Sequence, residues 1–209
     1  MAILHRLAGS LGRRDEVPNQ ELAKELSEKG SAKEIAELVE LLHHKKKFIQ
    51  SDCIKVLYEI GERNPALISA YVKEFVPLLN HKDNRMIWGT MTALNAIAAA
   101  KPEAVYPYLA KIMAAVDKGS VITRDQAVGT LIRFCSVPEY YETSITLLLE
   151  QLKSCPPNQL PMYAENMQPV INSKNKQEFI KILASRLDDL EKESKKKRVE
   201  KVIAKPNRI

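Results

Sequence analysis

Apolar residues return along this chain at i, i+3, i+4 and i+7, the spacing that lines one face of an α-helix. Ile35, Leu38, Val39 and Leu42 form one such stripe. The same face returns 37 residues later as Val72, Phe75, Val76 and Leu79, and after another 37 as Leu109, Ile112, Met113 and Val116. Steps of 36 and 35 reach Ile145, Leu148, Leu149 and Leu152, then Ile180, Leu183, Ala184 and Leu187. A second stripe lies between these. It runs Cys53, Ile54, Leu57, Ile60, then Thr90, Met91, Leu94, Ile97, then Ala127, Val128, Leu131, Phe134, then Tyr163, Ala164, Met167, Val170. Only Thr90 departs from apolar. Two helical faces alternating at a fixed period indicate stacked repeats, each too small to bury its own apolar face alone.

Punctuation follows the same frame. Pro65, Pro102 and Pro138 fall where one unit ends and the next begins. Proline suits a first helical turn, where its missing N–H would be unpaired anyway. Ser31-Ala-Lys-Glu34 reads as a capping box. The predicted units are 31–64, 65–101, 102–137 and 138–173, each a helix A, a short turn and a helix B. Residues 1–30 read as N-terminal capping helices, in which Ile3, Leu4, Leu7 and Leu11 share a face. Arg6, Arg13 and Arg14 without an acid in residues 1–14 also fit a transit peptide, but the amphipathic helix is the preferred reading. A C-terminal cap begins at Lys176, and 191–209 is a basic tail.

One repeat carries a recognisable signature. Phe75-Val-Pro-Leu-Leu-Asn80, then Asp83, Arg85, Ala93-Leu94 and Ile97-Ala98, resembles the HEAT-repeat pattern, with Pro77 at the bend of helix A. Repeat 102–137 keeps Arg124, Ala127 and Leu131 but lacks the Asp and the helix-A proline at matching positions. In 138–173, Pro156, Pro157, Pro161 and Pro169 disturb the second helix. The resemblance covers roughly 31–190. It implies an all-α fold, a right-handed α–α superhelix of about four to five HEAT-like helix pairs, with the B helices lining a concave face. It says little about activity, because one fold hosts many roles. Tetratricopeptide and ankyrin signatures are absent.

Composition narrows the function classes. No apolar run approaches the ~20 residues that span a bilayer. Cys53, Cys135 and Cys155 are odd in number and lack metal-ligand spacing, which fits a reducing, cytoplasmic setting. The net charge of +6 lies wholly in 192–209, where eight Lys and Arg face two Glu. Phosphate loops, Gly-x-Gly-x-x-Gly and His-Glu-x-x-His are absent. His43 and His44 are neighbours about 100° apart on a helix and cannot chelate together. With Lys45, Lys46 and Lys47 they read as a solvated helix end. No cofactor, metal, membrane or small-molecule substrate is implied.

Two surfaces remain as candidates. Trp88 aligns by repeat with Ser51 and Asp125, both polar. It anchors an expected concave protein-binding face with Arg85, Thr92, Gln126 and Arg133, floored by Gly89, Thr92, Ala93 and Ala96. The alternative is that Trp88 and these small residues serve helix packing. Lys195, Lys196, Lys197 and Arg198 could meet nucleic acid or an acidic partner, or belong to an extended last helix with Asp188/Lys192, Glu191/Lys195 and Glu193/Lys197 pairs. The leading expectation is a non-catalytic scaffold that binds a protein or peptide. The alternative is a nucleic-acid-binding HEAT-like protein, either like the DNA glycosylases built on such repeats or binding nonspecifically through the tail. The former would need a basic face and a catalytic carboxylate, for which Asp52 and Asp125 lie nearest Trp88 by spacing.

Overall fold

The computed structural model describes residues 3–205, and every regular element in that range is helical. Short 3-10 turns, Ile3–Arg6 and Ala8–Leu11, lead to α1 (Val17–Lys29), α2 (Ala32–Leu41) and α3 (Lys47–Arg63). In 65–80, 3-10 turns flank α4 (Val72–Phe75), and α5 (Asn84–Ala100) follows. Next come α6 (Pro102–Val105), α7 (Leu109–Lys118) and α8 (Val121–Phe134). The chain ends in α9 (Pro138–Ser154), α10 (Leu160–Met167), α11 (Lys176–Ser185) and α12 (Glu193–Ala204). Five A–B pairs therefore succeed one another in the described residues, the last being α11 and α12. Met1–Thr130 and Leu131–Ile209 form two compact units, divided within α8.

In the first unit the B helices stack side by side, α3 packing against both α1 and α5. Their predicted stripe is the core: Ile54, Leu57, Met91 and Leu94 are fully buried. Pro65 and Pro102 open their elements as expected. The capping box is corrected. Ser31 occupies the cap position of α2, but its side chain makes no cap hydrogen bond, and Glu34 instead meets Arg6 at 3.3 Å. A side-chain cap is found instead at α5, where Asp83 Oδ1 accepts from the Arg85 N–H at 2.9 Å. The helix expected at the N-terminus is two 3-10 turns, and Leu11 is exposed beside Gly12, whose φ is +70°. That left-handed residue ends the turn and takes Leu11 off the shared face.

In the second unit α9 packs against α10 and α11, and α12 closes over α10 and α11. Val199 and Val202 are buried by this docking, so most of the basic segment is a packed B helix rather than a tail. The last A stripe is one residue out of the expected register. Phe179, Ile182 and Leu183 are buried, whereas Ala184 is exposed. The reason is a shorter step from the preceding repeat, since Lys176 starts α11 directly after a turn closed by Asn175.

Candidate functional site

The only tryptophan of the chain lies in the second turn of α5 and is half-buried. Its ring meets Tyr58 of α3 with centroids 5.6 Å apart and planes tilted by 52°. Gly89 makes that approach feasible, because a Cβ there would meet Ile54 Cγ1 at 2.9 Å. Arg85, one turn earlier, places its guanidinium 5.8 Å from the Trp88 ring, within cation–π range.

Charged groups continue from this pair along the B helices. Arg85 bonds Glu16, Glu16 meets Lys55 Nζ at 3.0 Å, Lys55 meets Glu59 at 2.8 Å, and Glu59 meets Arg63 at 2.5 Å. Lys55 Nζ also sits 4.9 Å from the Tyr58 ring centroid. Burial opposes ionisation of Glu16, but hydrogen bonds from Arg85 and Lys55 outweigh it and hold the carboxyl below its usual range. Glu59 is held low against burial in the same way by Lys55 and Arg63. Burial also opposes the Lys55 charge, yet bonds to Glu59, Tyr58 and Glu16 push its pKa up. Burial raises Tyr58. The result is an aromatic pair bordered by a string of alternating charges, each already partnered.

The expected site residues divide. Trp88 and Arg85 come together. Thr92 is buried, and its hydroxyl donates to the Trp88 carbonyl at 2.9 Å, so it supports the helix rather than facing a partner. Gly89, Ala93 and Ala96 are also buried. Ala96 Cβ lies 3.2 Å from where a Cβ on Gly61 would be. These small residues serve close packing of α3 on α5, and they do not floor a groove. Gln126 Oε1 accepts from Asn95 Nδ2 at 2.6 Å. Arg133 belongs to the second unit, near the end of α8. Tyr58 and Glu16 escaped the sequence reading, whereas Lys55 was expected near this face only as a source of positive charge. Tyr58 lies one residue beyond the Leu57 stripe position, and Glu16 lies outside the repeats altogether. A basic residue such as Lys55 amid buried neighbours was the available signal.

Chemistry is sparse elsewhere. Burial raises the Cys53 thiol and pushes Cys135 up to about 12, so neither is a ready nucleophile. Asp52 accepts from the Gly9 N–H and from Asn19 Nδ2, both at 2.8 Å, which engages both its oxygens structurally. Among the described residues no group of three His, Cys, Asp or Glu could hold a metal, and no helix is long and apolar enough to cross a membrane. On α12, Arg198 grips Glu165 through two bonds of 2.8 and 2.5 Å, and Lys195 donates to Asn158 at 2.5 Å. Lys196 lies 3.5 Å from Asp188, and Lys197 lies 3.9 Å from Glu193. The Asp188/Lys192 and Glu191/Lys195 helix pairs do not form, because α12 starts only at Glu193.

Comparison with known proteins places the fold. No protein-family model and no curated protein sequence matches the chain. Solved structures do. A designed armadillo repeat protein in complex with the peptide (KR)4 superposes with a TM-score of 0.64 at 17% identity, over 98% of this chain and 99% of its own. Computationally designed armadillo repeat proteins for modular peptide recognition give 0.63 at 17% identity, over 90% and 91%. An engineered protein gives 0.60 at 22%, over 97% and 99%. The chain has the fold of a helical-repeat solenoid.

Proposed function

We propose that this protein is a non-catalytic, HEAT-like interaction scaffold whose first unit binds a peptide segment of a partner protein across α3 and α5. The observation that carries this reading is the partly exposed Trp88 standing on Tyr58 and bordered by Arg85, Glu16 and Lys55. A large aromatic held by packing and rimmed by oriented charges is the usual anchor of a protein interface. Designed proteins of the same fold recognise peptides, which supports the same use of the fold here. The three cysteines are buried as thiols, which suits a cytoplasmic setting.

Trp88 reports on its own site, because it is the single tryptophan. A positional-scanning library of octapeptides titrated against its emission should give a saturable shift with a preferred sequence. Tyr58→Ala should weaken that response by about tenfold, equivalent to roughly 1.4 kcal/mol. Emission that stays constant across the library would contradict the proposal.

A further inference from the structure

The turns between helices A and B of the first two pairs carry a motif that the Trp88 face does not use. His44 Nδ1 accepts from the Lys46 N–H at 3.1 Å, and 37 residues on His81 Nδ1 accepts from the Asp83 N–H at 3.0 Å. An imidazole nitrogen that accepts a backbone N–H carries no proton, so in each neutral ring the proton sits on Nε2. The repeat thus sets two Nε2–H donors in equivalent turns. Gln50 steadies the first turn by donating to the His44 carbonyl at 2.8 Å.

Both turns open onto one cleft of about 840 Å³ that is also lined by Lys45, Lys47 and Lys82. One acid, Asp83, lies on its wall, and its Oδ1 is occupied in capping α5. The cleft therefore holds an excess of positive charge and donors, with little acceptor capacity left over. That balance suits a dianion with several acceptor oxygens better than a single carboxylate, which would neutralise half the excess. The cleft is too large for a lone phosphate, and its positive charge comes from Lys45, Lys47 and Lys82 in two turns. A long phosphate backbone would find few further contacts.

We propose that this cleft is a docking site for a phosphorylated side chain of a partner peptide. It is separate from the Trp88 face and does not depend on the reading given for that face. The test uses the full chain and fluorescein-labelled heptapeptides with phosphoserine, serine or glutamate at the centre, followed by anisotropy at low salt. Phosphoserine should bind at least about tenfold more tightly than serine and clearly more tightly than glutamate. Lys45→Gln/Lys47→Gln/Lys82→Gln leaves both histidine turns intact and should abolish the preference. Trp88→Ala and the α12 variant Lys192→Gln/Lys197→Gln should retain it. Equal binding of the three peptides would overturn the proposal. So would a preference that survives the triple variant or vanishes with the α12 variant. Circular dichroism of each variant confirms that the fold is kept.

Discussion

Arg85 in the first turn of α5 and Glu16, just ahead of α1, are joined by an ion pair across 69 residues of sequence. The pair fastens the N-terminal segment to the helix that carries Trp88. Both partners are more than a third exposed, so solvent screens the attraction, and its worth is about 0.2–1 kcal/mol. Glu16→Gln should therefore change stability little. It should still shift Trp88 emission, since the guanidinium it releases lies over the indole. An unchanged spectrum would show that the pair does not organise the site.

Leu94 is fully buried in α5, where α3 and α5 stack. Removing three carbons from a packed core costs transfer energy plus a cavity, so Leu94→Ala should destabilise the protein by about 2–5 kcal/mol. Urea unfolding measures this directly. A loss below about 0.5 kcal/mol, typical of surface sites, would contradict the assigned packing.

The acid limb of stability has a defined sign. Glu16 and Glu59 are held below the ordinary glutamate value of 4.5. A lowered carboxyl stabilises the fold above its unfolded value, and that contribution disappears as pH falls through the folded one. Stability should therefore be kept above pH 4.5 and decline on further acidification. Urea midpoints recorded against pH should fall less steeply for Glu59→Gln than for the wild type. Parallel curves would remove Glu59 from the account.

The helical stripes made most of the architecture legible, because a period of 3.6 survives any loop variation. The stripes in α3 and α5 are buried at every position read, and Leu57 and Leu94 lie at the centre of the core. Two failures have physical causes. The segment after Lys176 contains so many lysines that its two valines, Val199 and Val202, did not register as a face, yet they dock α12. The Trp88 surroundings depend on Glu16 and Tyr58, which a repeat frame places nowhere near one another. Long-range ion pairs and aromatic contacts leave no periodic trace.

The basic segment sets up a further expectation. Nucleic acid binding, where present, should be nonspecific and should come from Lys195, Lys196, Lys197 and Arg198, weakened because Arg198 is already committed to Glu165. Affinity for a labelled duplex should drop steeply with salt and show no sequence preference. Lys196→Gln/Lys197→Gln is the suitable variant, since truncation at residue 191 would strip the cover from α10 and α11. A clear base preference, or undiminished binding in the variant, would move the nucleic-acid site to the body of the protein.

Under the proposed function, Trp88 is there to bind and only secondarily to pack. Trp88→Ala decides this when its thermal midpoint and its affinity for the best library octapeptide, followed by peptide anisotropy, are measured on the same preparation. Affinity should fall by about 2 kcal/mol, near thirtyfold, with the cooperative transition retained close to its wild-type midpoint. A collapsed midpoint with unchanged affinity in the surviving folded fraction would contradict that reading.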